Sequence, residues 1–531
     1  MAAGPGRRGA DSGGPAPLTP DGSSAAGGVQ RERTADRIRL PLGAYLAAAA
    51  VVVLLMVFAG RYGFHRDEYY FIETGHHLAW AQPDNPMLVP YLAAGWDAVV
   101  GGHLWAFRLL PALAAGCFVL VGGLIAAELG GTRAHQVAAS LATALTGQVL
   151  GTGHLFSTET FDMTVSAAAV WLLIRAVRTD SRRAWLAAGI ATGVAMEIRM
   201  MAIFVIAACL LAMLIIGPRR VLAGPKVWLA AAIALLLAAP NLIWQAVHGW
   251  PMRSVASNIA AGGSTSSTAR ASVVPSQLLI IGPIICVVMI IGVGWLFRSS
   301  RRREVGWVSL GYLIFLAVVV ITGGKAYYPS PFFPALLAAG AIPVFDVVRR
   351  RLWRRVVGVV LVAISAVVTS MLLMPISPVG STLFRIGAAV NPDSAETVGW
   401  DGYTATVARV ARSLPADQRA ATVIITANYG EAGSLSLARR EQTPDGRVLP
   451  PVYSGHNGFG LWGPPPESAT AVIGVGDLGA RWPEIFASCR RVAELRSPAG
   501  VDNQEAGAPV QLCTGRKYPW SRLWPLLRHL S

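Results

Sequence analysis

Long apolar runs dominate the chain between about residue 42 and residue 374. A helix needs roughly 20 mostly apolar residues to cross a bilayer, and this stretch contains eleven such windows, some of them shorter and some fused by brief polar breaks. The pattern predicts an all-α polytopic membrane protein with about eleven transmembrane helices. The windows cover residues 42–60, 104–127, 136–152, 163–177, 184–198, 200–217, 227–247, 276–297, 305–322, 331–348 and 356–374.

Basic residues separate these windows unevenly, and the imbalance predicts the orientation of the chain. If the N-terminus is cytoplasmic, the cytoplasmic connections carry seventeen Arg and Lys residues and the opposite connections carry only six. Positive charge is retained on the cytoplasmic side during membrane insertion. We therefore expect a multi-pass protein of the plasma membrane with a cytoplasmic N-terminus and an extracytoplasmic C-terminal domain.

The ends of the chain differ from its apolar middle. Residues 1–40 are rich in Gly, Ala, Ser, Pro and Arg, which predicts a disordered cytoplasmic tail before a transmembrane domain at 41–374. Residues 375–531 lack long apolar windows and are numerous enough to fold as a small soluble α/β domain. Within them, "TVIIT" and "TAVIGVG" predict buried strands, and 482–495 is interpreted as a helix.

Composition and charge exclude two broad classes of protein. Charged residues make up only 14% of the chain, whereas a soluble domain carries about 25%, so an ordinary soluble enzyme is excluded. The net charge of +16 lies in short clusters between apolar runs and not on one soluble face, which argues against a nucleic-acid partner. A lipid bilayer is the expected environment. The sequence contains no Walker loop, so no nucleotide site is predicted.

The segment His65-Arg66-Asp67-Glu68-Tyr69-Tyr70 follows the first apolar window on the outer face. Charges at a membrane are costly and are kept mainly where they pair or react. One carboxylate of the Asp67 and Glu68 pair can act as a general base while the other orients a partner such as Arg66. The alternative, that both carboxylates are solvated interfacial charges, stays open at this stage.

The predicted topology brings further polar residues to the same outer side. A base for a hydroxyl, together with cations from distant loops, is what a transfer from a phosphate carrier requires. Arg199 suits bidentate phosphate contact and Lys325 suits a point charge, although both can instead snorkel to lipid headgroups. The residues expected on this side are His154, Glu159, Asp162, Glu197, Arg199, Lys325, Tyr327 and Tyr328.

Three histidines and two neighbouring carboxylates raise the question of a metal site. His76, His77 and His154 do not have the spacing of a metal-ligand set, so no histidine metal site is predicted. Two carboxylates can hold a divalent cation, which leaves metal dependence open. No organic cofactor is expected.

Several motifs together resemble the GT-C glycosyltransferases. The bacterial branch of glycosyltransferase family 39, related to protein O-mannosyltransferases and lipid A aminoarabinose transferases, is the most similar group. The resemblance runs from about residue 42 to the C-terminus, and it rests on the order of the pieces more than on any one of them. They are "HRDEYYFIETGHHLAW", "QPDNPMLVPYLA", "GTGHLFSTETFDM", "PNLIWQAVHGWP", "TGGKAYYPSPFFPALLAAGA", "ANYGEAG", "SGHNGFGLWGPPP" and "PAGVDNQEAG".

The resemblance implies an inverting transfer from a polyprenyl-phosphate sugar to an extracytoplasmic hydroxyl acceptor. By position in the motifs, Asp67 is the expected catalytic base with Glu68 as its neighbour, and Asp162 is the second outer-loop Asp that helps to orient the site. Lys325 is expected to contact the donor phosphate. Substrate contacts are therefore expected from Arg66, His154, Arg199, Lys325, Tyr327 and Tyr328.

One turn departs from the family pattern. Many relatives have Asn-Lys-Tyr between the fifth and sixth spans, where this chain has Glu197-Ile198-Arg199. Arg199 can keep the positive charge, but Glu197 adds a negative one. The detail of phosphate binding is thus not predicted.

The C-terminal segment carries polar and aromatic residues of a kind that suits carbohydrate. They contact an acceptor or sugar, or else they are turn and packing residues of a small domain. Cys489 and Cys513 face an oxidising compartment in this topology, and their spacing permits a disulfide without requiring one. The polar and aromatic residues are Asn428, Tyr429, Glu431, His456, Asn457 and Trp462.

Two other functions remain as alternatives to the transferase. A transporter or lipid flippase also has many apolar spans, but its polar residues would gather at the bilayer midplane and its halves would show a repeat. An inactive relative of the transferases would have no need of the acidic pair Asp67 and Glu68 or of Lys325. The sequence identifies neither the sugar nor the acceptor, which can be a protein, a lipid or a cell-wall glycan.

Overall fold

The computed structural model describes residues 38–264, 267–299, 302–480 and 482–531. The predicted tail at 1–40 lies outside these ranges except for its last three residues. Helices make up most of the described chain, and a small sheet lies near the C-terminus. The predicted fold class, an all-α membrane protein with a small C-terminal α/β portion, is confirmed.

Every one of the eleven apolar windows is helical. The helices in and between the first six windows are α1 (Leu42–Phe58), α2 (Arg66–Gly75), α3 (Leu88–Val100), α4 (Leu104–Phe107), α5 (Leu109–Glu128), α6 (Arg133–Ala144), α7 (Gly147–Thr152), α8 (Thr158–Thr179), α9 (Arg182–Ile198) and α10 (Ala202–Ile216). Those that follow are α11 (Arg219–Leu222), α12 (Pro225–Val247), α13 (Met252–Ala260), α14 (Val273–Ile281), α15 (Pro283–Arg298), α16 (Arg302–Val305), α17 (Trp307–Thr322), α18 (Phe333–Val348) and α19 (Leu352–Leu373).

Two windows are broken within the fold. The window at 136–152 divides into α6 and α7, because the Thr146 side chain accepts a hydrogen bond from the backbone of Val149 and starts a new helix. The window at 276–297 bends by 107° between α14 and α15. Gly282 lies at this bend with a φ of +94°, a conformation that side chains with a Cβ rarely adopt.

The number of membrane crossings stays a prediction. By length and composition, five described helices can cross a membrane, or six if the bent pair α14 and α15 forms one span. Four shorter apolar helices, of 10–17 residues, accompany them. Three of them, α1, α10 and α17, coincide with predicted windows, and their shortness accounts for part of the difference between the two counts.

Small residues let the membrane helices pack closely. A Cβ atom placed on Gly292 of α15 would lie 1.9 Å from the Leu336 carbonyl oxygen, and one on Gly340 of α18 would lie 1.9 Å from the Val288 carbonyl oxygen. Helices α15 and α18 therefore meet backbone to backbone, as is common where small residues line membrane helix interfaces.

The C-terminal residues form a five-stranded sheet and its flanking helices. The strand order is β2-β1-β3-β5-β4, with β1 parallel to β2 and β3, and β5 antiparallel to β3 and β4. The predicted strands "TVIIT" and "TAVIGVG" are confirmed as β1 and β3, both buried throughout. The elements are α20 (Thr382–Val390), α21 (Trp400–Arg412), α22 (Ala416–Ala420), β1 (Thr422–Thr426), α23 (Tyr429–Arg440), β2 (Val452–Ser454), β3 (Ala471–Val475), β4 (Phe486–Glu494), β5 (Pro509–Arg516) and α24 (Trp520–Leu527).

The helix expected at 482–495 is wrong. A short 3-10 turn at Trp482–Ile485 leads directly into the strand β4. This strand lies at the edge of the sheet and is largely exposed, so its sequence lacks the apolar alternation of a buried strand. Cys489 of β4 lies opposite Cys513 of β5, and the two form a disulfide.

Helix α23 of the C-terminal segment packs against α2 of the outer loop. A Cβ atom on Gly433 would lie 2.9 Å from the Cβ of Tyr69, so the two helices approach closely at this point. The separate domain expected from residue 375 onward stays a prediction. Its residues nevertheless contact the loop that carries Asp67, and this contact builds part of the site described next.

Candidate active site

Asp67 lies in the first turn of α2 because the residues around it cap the helix. The Nδ1 atom of His65 accepts a hydrogen bond from the backbone N–H of Asp67 at 3.2 Å. The Glu68 carboxylate accepts one from the backbone N–H of His65 at 2.7 Å. This reciprocal cap satisfies backbone donors that the helix cannot satisfy itself, and the Asp67 side chain borders an internal cavity.

This cavity, called here the central cavity, also contains the two cations that the sequence indicated. Its volume is about 80 Å³, and its lining consists mostly of ionisable and hydroxyl side chains. The structure therefore brings together Asp67, Arg199, Lys325 and Tyr327 from three separate segments; their roles in catalysis stay predictions. The lining residues are His65, Arg66, Asp67, Thr152, Leu155, Ser157, Thr158, Glu159, Arg199, Ser264, Lys325, Tyr327, Asp393 and Tyr429.

The surroundings of Asp67 favour its ionised form. Burial opposes ionisation, but the electrostatic effects of His65 and Arg66 and a hydrogen bond from Tyr429 outweigh it, so the pKa of Asp67 is lowered. The Tyr429 hydroxyl donates that bond to Oδ1 at 2.8 Å. A carboxylate that is ionised at neutral pH can accept a proton from a hydroxyl group.

Arg199 and Lys325 both line the central cavity and form a positive cluster there. The Arg199 guanidinium donates hydrogen bonds to Tyr327 Oη at 3.2 Å and to Thr158 Oγ1 at 2.5 Å, and it lies 5.7 Å from the Tyr328 ring centroid. Burial and the neighbouring Arg199 charge together lower the pKa of Lys325. An anion bound between the two cations would relieve this repulsion, so the pair is suited to a phosphate group.

Asp162 does not line the central cavity. It lies in α8, where its Oδ1 accepts a hydrogen bond from the Ser166 hydroxyl at 2.7 Å. Its carboxylate still acts on Arg199 electrostatically. Glu159, one helical turn earlier, lines the cavity instead of Asp162. It accepts a hydrogen bond from Gln148 at 2.5 Å.

Glu68 also points away from the central cavity. It is fully buried, and its two oxygens accept hydrogen bonds from the Arg108 guanidinium at 2.9 and 2.7 Å. It further accepts one from the backbone N–H of Phe156 at 2.9 Å. The prediction that a carboxylate of this pair orients Arg66 is therefore wrong for Glu68, which pairs with Arg108 instead. Glu68 thus holds the loop in position. It does not line the central cavity, where a catalytic contact was expected for it.

Arg66 connects the outer loop to the C-terminal segment. Its guanidinium lies 4.7 Å from the Tyr429 ring centroid and 3.8 Å from the Glu396 carboxylate, and it donates a hydrogen bond to Gln504. It lines the central cavity, where Asp393 of the 3-10 turn Pro392–Thr397 also reaches. The C-terminal segment therefore supplies part of the cavity wall.

His154 lies apart from the substrate contacts expected for it. It is buried, and its Nδ1 lies 3.3 Å from the Leu150 carbonyl oxygen. Burial, aided by the Arg108 charge, lowers its pKa to about 3, so the side chain is neutral. It is absent from the lining of the central cavity.

The six C-terminal residues selected from the sequence separate into three groups. Tyr429 reaches the central cavity and Asn457 reaches an adjoining groove. Asn428 and Glu431 form the reciprocal cap of α23, which is a structural role. His456 contacts the backbone of Tyr429, and Trp462 stacks on His77 some distance from the cavity. Among the described residues, no group of three potential ligands can hold a metal ion.

Two further cavities adjoin the central one. The first, called here the apolar groove, has a volume of about 500 Å³ and shares Asp67, Arg199 and Lys325 with the central cavity. The second has a volume of about 280 Å³, lies between α7, α14 and the end of α19, and shares Glu159 and Asp393. The polar site is thus reached from two sides.

Several site residues escaped the sequence analysis. Arg108 lies at the start of an apolar window, and nothing in the sequence links it to Glu68, 40 residues earlier. Asp393 lies in a polar segment without a motif. Asp84 was present in "QPDNPMLVPYLA", yet its contact with the Tyr70 hydroxyl at 2.8 Å gave no sequence signal. Burial raises the pKa of Asp84 to about 6.

Comparison with known proteins adds evidence on the fold. Residues 84–244 match the protein family described as dolichyl-phosphate-mannose-protein mannosyltransferase. No curated protein sequence matches the chain. ArnT from Cupriavidus metallidurans bound to undecaprenyl phosphate is similar at 14% identity and a TM-score of 0.57, over 88% of this chain and 97% of that chain. Its apo state gives 15% identity and a TM-score of 0.56, over 92% of this chain and 98% of that chain.

At this identity the likeness to ArnT shows the fold, and it extends over nearly the whole chain. The family match covers the outer loop after α2 and the helices α3 to α12 in large part. The chain is an integral membrane protein with the fold of ArnT, and over residues 84–244 the family match confirms the resemblance that its motifs indicated.

Proposed function

We propose that the protein is a glycosyltransferase that moves a sugar, with inversion, from a polyprenyl-phosphate donor to an extracytoplasmic hydroxyl acceptor. The observation that carries this proposal is the central cavity, in which an ionised carboxylate, Asp67, lies with the cations Arg199 and Lys325. The matched family is described as a dolichyl-phosphate-mannose-protein mannosyltransferase, and the similar ArnT structure binds undecaprenyl phosphate.

In the proposed reaction, Asp67 removes the proton from the acceptor hydroxyl while the acceptor oxygen attacks the anomeric carbon. The bond between that carbon and the phosphate oxygen breaks, and the electron pair leaves with the lipid phosphate. Arg199 and Lys325 stabilise the negative charge that remains on the phosphate. The proton ends on Asp67, and attack from the face opposite the leaving group inverts the anomeric centre.

The apolar groove suits the lipid part of the donor. It adjoins the two cations, and its walls include the methionines Met200, Met201 and Met252, whose flexible side chains adapt to an irregular chain. Phe204 also lines it and is 50% exposed, so the groove extends to the apolar surface of α10. A polyprenyl tail can lie there with its phosphate at Arg199.

The donor lipid already carries its activated sugar, so we propose that no nucleotide or organic cofactor is needed. Arg199 and Lys325 supply the positive charge that a metal ion provides in many phosphate sites. Transfer is therefore expected to continue after divalent cations are chelated with EDTA.

The alternatives make different use of the same residues. A transporter needs its polar groups along a path through the membrane, whereas the ionisable groups of this cavity come from the ends of α2, α8 and α9, from the turn after α17 and from the C-terminal segment. An inactive relative would bind the donor without transferring its sugar. Both alternatives predict no covalent product.

The test is sugar transfer by the purified full-length protein from a panel of radiolabelled polyprenyl-phosphate sugars to acceptors in native membranes. We expect a labelled product with the wild type and none with Asp67→Asn. Asp401→Asn is the matched control, because Asp401 is exposed on α21 and lies outside the central cavity. Equal transfer by wild type and Asp67→Asn would overturn the assignment of the base.

A further inference from the structure

A separate pocket lies on the outer side of the protein, at the far ends of α2 and α23. It has a volume of about 560 Å³ and is called here the distal pocket. The side chains that matter are Glu73, His77, Arg439, Arg440, Tyr453 and Trp462. None of these residues lines the central cavity, so the distal pocket is distinct from the proposed reaction site.

The helices α2 and α23 connect the distal pocket to the central cavity. Each helix begins at the central cavity, with Asp67 and Tyr429 in their first turns, and each ends at the distal pocket. They therefore run in the same direction side by side. At 1.5 Å per residue, the pocket lies roughly 10 to 15 Å from Asp67 along the helices.

One wall of the distal pocket is aromatic. The rings of His77 and Trp462 stack with centroids 3.6 Å apart and planes at 8°, and Trp462 also lies 4.3 Å from Phe459. Burial lowers the pKa of His77, so this ring is uncharged at neutral pH. An uncharged aromatic wall beside polar groups suits a ligand that has both apolar faces and hydroxyl groups, as a sugar ring has.

The lining of the distal pocket also carries an excess of positive charge, with two arginines and one carboxylate. Arg440 forms an ion pair with Glu73 at 2.6 Å, which balances its charge. Arg439 lies beside it and is exposed, and no ion pair joins its guanidinium to any other residue in the described part of the chain. A guanidinium in this position can make a charge-assisted hydrogen bond to a carboxylate or phosphate.

We propose that the distal pocket binds an anionic saccharide, and that this is the part of the acceptor that lies beyond the reacting hydroxyl. The sugar rings contact Trp462 and Tyr453, and the acidic group pairs with Arg439. The assignment to the acceptor rests on the proposed function, whereas the binding itself does not. An acceptor held at the distal pocket would be anchored within reach of Asp67.

The test is equilibrium binding to the full-length protein in detergent micelles, with tetragalacturonate as the acidic probe and maltotetraose as the neutral one. Calorimetry needs neither donor nor turnover, so the result is independent of catalysis. We expect tighter binding of the acidic probe, with an affinity that falls as salt is added. Asp67→Asn is expected to bind both probes as the wild type does.

Arg439→Gln is expected to weaken binding of the acidic probe about tenfold, as for the loss of one charge-assisted hydrogen bond. Arg409→Gln is the matched control, because Arg409 is an exposed arginine of α21 outside the pocket. The proposal is overturned if neither probe binds, if both bind equally, or if the two arginine variants weaken binding alike. If the probes bind as proposed but Asp67→Asn still transfers sugar, saccharide binding at the distal pocket is supported and the assignment of Asp67 as the base is wrong.

Discussion

Asp67 receives a hydrogen bond from Tyr429, a residue that lies 362 positions later in the chain. The Tyr429 ring is itself held between the Arg66 guanidinium, at 4.7 Å, and the Tyr70 ring, at 4.6 Å between centroids. A hydrogen bond donated to the ionised carboxylate stabilises that form. Tyr429 is thus a positioning residue that holds the base ionised and in place.

Tyr429→Phe removes this hydrogen bond and should raise the pKa of Asp67. Because the base works only when ionised, the acidic limb of the kcat/KM profile is expected to move to higher pH. A single charge-assisted hydrogen bond corresponds to roughly a tenfold loss of rate at the acidic end of the profile. Tyr403→Phe is the control, since the Tyr403 hydroxyl is buried and has no hydrogen-bond partner among the described residues. An unshifted limb in Tyr429→Phe would contradict this role.

Lys325 should affect the chemical step more than binding, because charge on the leaving phosphate grows as the bond breaks. Lys325→Met is expected to lower kcat roughly 100-fold or more, as does the removal of one preorganised donor in other enzymes. Steady-state kinetics with one donor measures the kcat and KM of this variant and of the wild type. Lys517→Met, a change at an exposed lysine of the C-terminal segment, is the control. A change in KM alone would show that Lys325 only binds the donor.

At the level of elements, the ion pair of Glu68 and Arg108 fastens the start of α2 to the membrane helices. Arg108 also donates hydrogen bonds to the carbonyl oxygens of Ala59, after α1, at 2.8 Å and of Gly63 at 2.7 Å. The backbone N–H of Phe156 also donates a hydrogen bond to Glu68, so four segments meet at one buried pair. The direction of the Asp67 side chain depends on this arrangement, although neither Glu68 nor Arg108 lines the central cavity.

Glu68→Gln should therefore lower the stability of the fold, whereas Asp67→Asn should lower the activity. Removing one partner of a buried pair leaves an uncompensated charge and costs about 3–5 kcal/mol. Thermal unfolding in detergent is expected to show a clear loss for Glu68→Gln and none for Asp67→Asn. If Glu68→Gln unfolds like the wild type but no longer transfers sugar, Glu68 takes part in the reaction directly.

The sequence could predict the elements better than the directions of their side chains. Consecutive residues of a helix point about 100° apart, so Asp67 and Glu68 face different surroundings although they form one motif. The choice between them depends on Arg108, which reaches Glu68 from a distant segment. Similarly, Asp162 was predicted from the family motif, but it is Glu159, one turn away, that lines the cavity.

Strand β4 shows a second limit on what can be predicted from the sequence. The buried strands β1 and β3 were predicted because every residue in them is apolar or small, which is typical of a central strand. The segment "FASCRRVAE" lies at an edge and packs only on one neighbour, so its pattern does not distinguish strand from helix. Pairing with β5, and not the local pattern, decides its structure.

On the scale of the whole molecule, the membrane helices and the C-terminal segment share one site. Arg199 and Lys325 lie beside the membrane helices, while Tyr429 and Asp393 come from the segment after α19. Such a site requires this segment to lie on the side of the membrane to which α2 faces. The distribution of basic residues indicates the extracytoplasmic side.

Thiol labelling tests this topology. A membrane-impermeant maleimide applied to intact cells should label Arg409→Cys, in exposed α21, and should label Arg350→Cys only after permeabilisation. The free cysteines in the described part of the chain lie in the apolar helices α5, α10 and α15, so background labelling is expected to be low. Labelling of Arg350→Cys in intact cells would contradict the orientation.

The most direct test of the central claim is to follow both products of one labelled donor in proteoliposomes. With a polyprenyl-phosphate sugar and membrane acceptors, the wild type should form glycosylated acceptor and free polyprenyl phosphate in equal amounts. Asp67→Asn should form neither, although it still binds the donor. Covalent transfer undiminished in Asp67→Asn, or movement of the intact donor across the bilayer without any release of lipid phosphate, would contradict the account.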